Sequence, residues 1–424
     1  MKEKAQAPEL RFDGFTDDWE ERKLIDVKDN EDRYSYTGGP FGSDLKSSDY
    51  TEIGVRIIQL QNIGDGKFVN DYKIYTSEEK ARSLNSNLIY PGEIIIAKMA
   101  DPLARATILP KIEPKYLMAS DGIRLKINTD YFDNYYILTL INSDVFRKEA
   151  LNNSTGTTRK RIGLVTLGNL PMMIPSFEEQ QKIGSLFKQL DDTIALHQRK
   201  LDLLKEQKKG YLQKMFPKNG AKVPELRFAG FADDWEERKL DTIFNKIRNA
   251  FVGTATPYYV DAGHFYLESN NIKNGQINRD TEVFINDEFY NKQTDKLLHT
   301  GDIVMVQSGH VGHTAVIPQE LDGTAAHALI MFTDYKEKTD SFFLNYQFQT
   351  YKSKIKLDKI TTGNTIKHIL SSEMKEFFID YPSYEEQQKI GSFFKRLDAT
   401  IALHQRKLDL LKEQKKGFLQ KMFV

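Results

Sequence analysis

An internal repeat constrains this chain more than any other feature. Pro8-Glu9-Leu10-Arg11-Phe12, then Asp17-Asp18-Trp19-Glu20-Glu21-Arg22-Lys23-Leu24, returns between Pro224 and Leu240, and the two tryptophans, Trp19 and Trp235, take matching places. A second match pairs residues 175–216 with 382–423; within it 194–210 and 401–417 are identical. Between these ends the halves diverge and only fragments align. Gln61-Asn62-Ile63 matches Asn270-Asn271-Ile272, Gly92-Glu93-Ile94-Ile95-Ile96 matches Gly301-Asp302-Ile303-Val304-Met305, and Thr155-Gly156 matches Thr362-Gly363. The offset falls from 216 (8 to 224) to 209 (92 to 301) and 207 (155 to 362), so segments were gained or lost inside the variable stretch. Two such halves in one chain imitate a two-fold dimer. Matched parts are then expected to face the same kind of partner twice, or each other, and divergent parts to recognise different things. The alternative is a tandem duplication whose halves have merely drifted.

The run after Pro175 has the pattern of one long helix. Ser176 with Glu179, and Ser383 with Glu386, have capping-box spacing. A 4-3-4-3 rhythm follows through Ile183, Phe187, Leu190, Ile194, His197, Leu201, Leu204 and Lys208, and in the second copy through Ile390, Phe394, Leu397, Ile401, His404, Leu408, Leu411 and Lys415. That is the seam of a coiled coil, and two helices with one seam most simply pair with each other. Each would be roughly 58 Å long at ~1.5 Å per residue, a rod able to hold two domains at a fixed separation. Pro217 with Asn219-Gly220 ends the first. A polar residue setting register is the reading preferred for His197 and His404, over a metal or a pH switch. Lys205, Lys208 and Lys209 are expected to be solvated, with nearby phosphates or a partner subunit as the other option.

The variable stretches mix short strands, turns and helices. In the first, strands are predicted over 55–61, 94–99 and 123–127, turns at 38–42, 64–66 and 91–92, and a helix over 135–150. In the second, strands are predicted over 265–268, 303–307, 314–317 and 328–332, and a helix over 341–355. Loops after the matched strands carry Lys98 and Arg105 in one half and Gln307, Ser308 and His310 in the other. Beyond them stand Thr157, Arg159, Lys160 and Arg161, and Thr365, Lys367 and His368. Hydroxyls, glycine and clustered cations suit phosphate contact and base-edge reading, although such loops also occur in proteins that never touch DNA. Ser43 and Lys46, after the Gly39-Pro40-Phe41-Gly42 turn, are further DNA-contact candidates.

Composition excludes much else. With 60 basic and 60 acidic residues the net charge is zero, which argues against bulk non-specific DNA binding while leaving local basic surfaces open. The absence of cysteine rules out disulfides and thiolate metal sites and fits a reducing cytoplasm. The polar start (Met1 to Leu10) is not expected to act as a secretory signal, and no apolar run approaches the ~20 residues of a membrane span. No phosphate loop, dinucleotide fingerprint, Asn-Pro-Pro-Tyr motif, His-Glu-x-x-His or Gly-x-Ser-x-Gly is present. His310 and His313 lack a third ligand, so no metal site and no catalytic set is expected.

Taken together, the duplicated openings, the Gly39-Pro40-Phe41-Gly42-Ser43-Asp44-Leu45 stretch, the Pro-Gly-Glu-Ile-Ile and Thr-Gly-Asp-Ile-Val strand entries and the Pro-Ser-Phe-Glu-Glu-Gln-Gln-Lys-Ile-Gly helix start resemble the specificity subunits of type I restriction–modification systems over nearly the whole chain. The resemblance implies an α+β fold: two mixed α/β target-recognition domains, residues 1–174 and 218–381, with conserved spacer helices, 175–217 and 382–424, forming an antiparallel coiled coil and an internal pseudo-two-fold repeat. It implies a non-catalytic, sequence-specific DNA-binding subunit of a cytoplasmic complex. Each domain would read half of a bipartite double-stranded site, and the coiled coil would set the spacing. Two methyltransferase subunits would supply S-adenosylmethionine chemistry, and two restriction subunits ATP- and Mg2+-dependent translocation and cutting, with no cofactor in this chain. The rival expectation is a coiled-coil scaffold with two protein-binding domains and no DNA contact.

Overall fold

The computed structural model describes residues 7–363 and 367–424. The chain divides into two compact units, Met1–Gln198 with Arg406–Val424, and Arg199–Gln405. Each therefore combines one variable stretch with the beginning of one long helix and the end of the other.

In the first unit a four-stranded antiparallel sheet runs, in spatial order, Tyr36–Gly38, Gly122–Leu125, Ile94–Ala97, Ala106–Ile108. The central strand Ile94–Ala97 is buried on both faces, which is why it is a continuous apolar run. Ile94 and Ile96 point into a core with Trp19, Tyr136 and Phe187, whereas Ile95 and Ala97 join Ile58, Tyr116 and Met118 of a second sheet. That second sheet has five strands, with a parallel pair, Val55–Ile58 and Tyr116–Met118, near its centre. A two-stranded ribbon, Glu20–Lys23 with Pro171–Ile174, ties the opening motif to the entry of the long helix.

The second unit has the same plan. Its antiparallel sheet runs Phe244–Asn249, Leu329–Tyr335, Ile303–Val306, Thr314–Val316, and its ribbon is Glu236–Lys239 with Phe378–Tyr381. A parallel pair, His264–Leu267 with Ala325–Ala326, again lies in the other sheet. Mixed α/β content, duplicated, is thus the architecture.

The two helices expected over 135–150 and 341–355 are each broken in two: Asn134–Ile141 and Asp144–Asn152, and Ser341–Phe348 and Tyr351–Ile360. The cause is local. Ser143 Oγ accepts from Phe146 N, and Thr350 Oγ1 from Ser353 N, so each hydroxyl caps a new helix inside an otherwise periodic stretch. The strand expected over 55–61 stops at Ile58 because the buried Asn62 side chain takes Gln59 N at 3.0 Å and donates to the carbonyls of Val69 and Tyr72. Asn271 does the same with Glu268 N, Asn278 and Thr281. The matched Asn-Ile fragments are therefore turn staples.

The long helices are Phe177–Lys214 and Tyr384–Lys421. Their seams also feed the globular cores: Ile183, Phe187 and Leu190 share the first unit's core with Met422 and Phe423, and Ile390 and Phe394 share the second's with Met215 and Phe216. Leu201, Leu204 and Leu408 are buried, and Ile194, Leu397, Ile401 and Leu411 half-buried. Lys208 is not a solvated lysine. Its ammonium lies 2.7 Å from Asp398, which also accepts from Tyr346 Oη. In the first unit Lys415 pairs with Asp191, which accepts from Tyr135 Oη. Both ion pairs are partly buried and structural.

Inside each unit the conserved openings meet the conserved helices. Arg11 donates twice to Glu179 at 2.7 and 2.8 Å, Arg227 does the same to Glu386, and Leu10 N and Leu226 N bond to the carbonyls of Lys421 and Lys214. Gly184 shows how tight the docking is. A Cβ there would lie 2.1 Å from Asp133 Oδ1 and 3.0 Å from Tyr136 N, the atoms of the cap that starts the Asn134–Ile141 helix, and Gly391 faces Asp340 and Phe343 N identically. Gly184→Ala is expected to destabilise the chain by ~1–3 kcal/mol through overpacking, read as a lowered midpoint in thermal unfolding.

Candidate nucleic-acid interface

Strand register brings the candidate loops of each half to one rim. In the first unit Gly38 ends its strand opposite Ile123, Gly122 opposes Ala97, and Ile96 opposes Ala106. The loop after Gly38, the segment before Gly122 and the 98–105 loop therefore leave the same end of the sheet. The 155–161 segment closes on itself through paired bonds between Thr155 and Arg161, 2.8 and 2.9 Å, with Gly156 at φ +91°. It is stitched to the strand-end loop by Ile162 N to the Lys98 carbonyl and by the Met99–Arg161 bridge. A Cβ on Gly156 would meet the Arg159 carbonyl at 2.5 Å, so the glycine is required.

The second unit repeats this stitching with different side chains. Thr362 and His368 exchange bonds of 2.9 and 2.8 Å, Gly309 N bonds the Lys367 carbonyl, Ile369 N bonds the Gln307 carbonyl, and Ser308 bridges His368. The matched fragments Thr-Gly and Gly-Glu/Asp are thus backbone supports. Glu93 and Asp302 cap the turns at Tyr90 N and His299 N, and Gly92 and Gly301 have φ near +90°.

The side chains on this rim differ in freedom. Arg159 and Lys160 are exposed and have no carboxylate partner among the described residues. Together with Thr158, Arg105, Arg147 and Lys148 they border a groove of about 750 Å³, floored by Met99, Pro102 and Leu103. Arg161 is held by Asp121 at 2.8 Å. Lys98 is half-buried behind it, and desolvation first, then the Arg161 charge, lowers its pKa. Arg105 donates to the carbonyls of Leu60 and Asp101, so it braces the loop. Ser43 bonds Asp44, while Lys46 and Thr157 are exposed. In the second unit His310 and His368 are exposed, Gln307 and Ser308 half-buried, and Lys367 lies 3.8 Å from Asp358. Thr365 lies outside the described residues. Burial, then the charges of Lys354, His310 and Lys273, lowers the His313 pKa. No cluster of three or more His, Asp or Glu that could hold a metal occurs among the described residues, and no described helix is long and apolar enough to cross a membrane.

Sequence reasoning passed over two rim residues, Phe41 and Val252, both apolar and exposed. The signal for Phe41 was present as an aromatic flanked by Gly39-Pro40 and Gly42. Val252 carries no such signal in the sequence and is placed by the strand register and the Ala250–Leu329 bond.

Comparison with known proteins bears on the family and the fold. The model of the type I restriction modification DNA specificity domain fits residues 17–206 and again 232–413. The chain is 22% identical over 417 residues to the protein of Methanocaldococcus jannaschii named for the MjaX type I restriction enzyme specificity subunit, covering 95% of this chain and 92% of that one. It is 22% identical over 314 residues to the MjaVIII specificity subunit of the same organism, covering 72% and 73%. In fold it resembles the crystal structure of the type I restriction–modification S subunit from M. genitalium, with a TM-score of 0.66, 14% identity and 99% of each chain covered. It also resembles a chain from a structural study of assembly and conformational transition of the type I system, at TM-score 0.51, 16% identity and coverage of 95% and 97%. Two copies of the family domain, filling most of the sequence, place this chain among the specificity subunits of type I restriction–modification systems, the non-catalytic components through which those systems recognise DNA sequence.

Proposed function

We propose that each unit reads one half of a bipartite DNA site through its hairpin rim, and that the long helices set the number of unread base pairs between the halves. On this reading residues 1–174 and 218–381 are the target-recognition domains, and 175–217 and 382–424 the spacer. Two modification subunits using S-adenosylmethionine dock on the conserved segments, and two restriction subunits using ATP and Mg2+ join them in the cytoplasm. The observation that carries the proposal is the equivalence of the two rims. The same backbone stitching presents Thr157, Arg159 and Lys160 in one half and Gln307, His310 and Lys367 in the other. Common scaffolding with different donors is what two readers of different sequences require.

The test is base-resolution methylation mapping of a genome in cells co-expressing this chain with a modification subunit of the family. A split motif, methylated at adenine in both halves and absent without this chain, is expected. No new methylation despite a stable complex would overturn the proposal.

A further inference from the structure

Phe41 is 82% exposed and Val252 61% exposed. Backbone bonding shows that they are equivalent. Gly39 N donates to the carbonyl of Gly122, and Ala250 N to that of Leu329, each the first residue of the neighbouring strand. Two residues further on stand Phe41 and Val252, each followed by a glycine. The residue between is an inward anchor in both cases. Pro40 is buried, and the Phe251 ring packs edge-on against Phe289 at 5.0 Å. With the anchor turned in, the next side chain is turned out.

The backbone beneath them is fixed. A Cβ on Gly39 would lie 1.9 Å from the Ala119 carbonyl, so only glycine lets the loop press against the 119–121 segment. Asp121 of that segment accepts from Lys98 N and from the Arg161 guanidinium. Phe41 is thus coupled through backbone to the hairpin carrying Arg159 and Lys160. In the second unit the ring of His327 bonds the Gly253 carbonyl at 2.9 Å and holds the corresponding turn.

A large apolar side chain held out in water gains nothing from folding. The same end of the sheet carries the exposed cations Arg159 and Lys160 in the first unit and Lys367 in the second, so the complementary partner is a polyanion that also offers an apolar spot. Duplex DNA does so in the major groove, at the C5-methyl of thymine. We propose that Phe41 and Val252 are specificity-determining side chains, each making apolar contact with a thymine methyl in the half-site read by its own unit. The inference rests on the DNA-reading proposal above and deepens it. Phenylalanine in one unit and valine in the other give the two readers different reach.

Methylation mapping of cells carrying the modification subunit with wild-type chain, Phe41→Ala or Val252→Ala tests it. Phe41→Ala is expected to relax one thymine-containing position of one half-site about ten-fold and leave the other half intact. Val252→Ala is expected to act on the other half alone. Phe41→Leu, which keeps an apolar contact, should recover most of the discrimination. Replacing that thymine by deoxyuridine in a target duplex should weaken binding of the wild-type complex and leave Phe41→Ala binding unchanged. An unaltered motif with Phe41→Ala, a uniform loss at all positions in a variant of unchanged thermal stability, or a Phe41→Ala defect undiminished on the deoxyuridine duplex would each overturn the inference. Absence of any split motif with the wild-type chain would overturn the DNA-reading proposal and this one with it.

Discussion

Replacing Arg11 by alanine is expected to lower the stability of the folded chain by about 3–5 kcal/mol, the range for breaking a buried ion pair from one side. The Glu179 side chain is fully buried, and Arg11 supplies both of its charge-assisted bonds at 2.7 and 2.8 Å. The hydrogen bond to Glu179, together with the charges of Glu179, Asp17 and Asp18, outweighs desolvation and raises the arginine's pKa. Removing the guanidinium leaves a carboxylate with neither water nor partner. Arg11→Lys keeps the charge but loses the two-pronged geometry and should fall between. Arg11→Ala combined with Glu179→Gln should recover much of the loss, because the stranded charge is gone. Urea unfolding of the full chain measures it, and Arg227→Ala, which strands Glu386 in the same way, is the internal replicate. A loss below ~1 kcal/mol would mean that water reaches the carboxylate and that the pair behaves as a surface contact.

This ion pair also explains which parts of the architecture were legible in the sequence. The repeat, the long helices and the central strands were readable because each is written in a long periodic or duplicated pattern. Matched ends were expected to face a partner or each other; Arg11–Glu179 and Leu10–Lys421 join them in the first unit, and Arg227–Glu386 and Leu226–Lys214 in the second, which leaves their outer faces open to a partner. What sequence could not supply were short-range competitions decided by one side chain. Ser143 and Thr350 break helices whose apolar spacing runs straight through them, and Asn62 ends a strand by folding back on its own backbone. The ribbon Glu20–Lys23 with Pro171–Ile174 was invisible because its strands lie about 150 residues apart (20 to 174 is 154) and neither alternates strongly. In the candidate site, residue type located the loops but not the freedom of each side chain. Arg105 and Arg159 look alike in sequence, yet one is spent on the carbonyls of Leu60 and Asp101 while the other is exposed.

That difference sets the second large expected effect. Arg159→Ala with Lys160→Ala should weaken DNA binding by the assembled complex about 25-fold at ~0.15 M salt. Each lost phosphate contact removes ~0.9 from the slope of log affinity against log salt, which is worth roughly five-fold at that concentration. The slope should fall by ~1.8, and the thermal midpoint should not move, since both side chains lie on the surface and hold nothing. Arg105→Ala is the contrasting case: it should shift stability first and DNA affinity only through disorder of the loop it braces. Titrations at several salt concentrations with target and scrambled duplexes separate the roles. A uniform loss on both duplexes marks phosphate contacts, and a loss confined to the target marks base reading. If the double variant binds as tightly as wild type with an unchanged salt slope, the 155–161 hairpin does not face DNA. The rim at the Gly38, Ala97 and Gly122 strand ends would then have to be assigned to a protein partner, which a zero net charge and two differing sets of exposed side chains would equally allow.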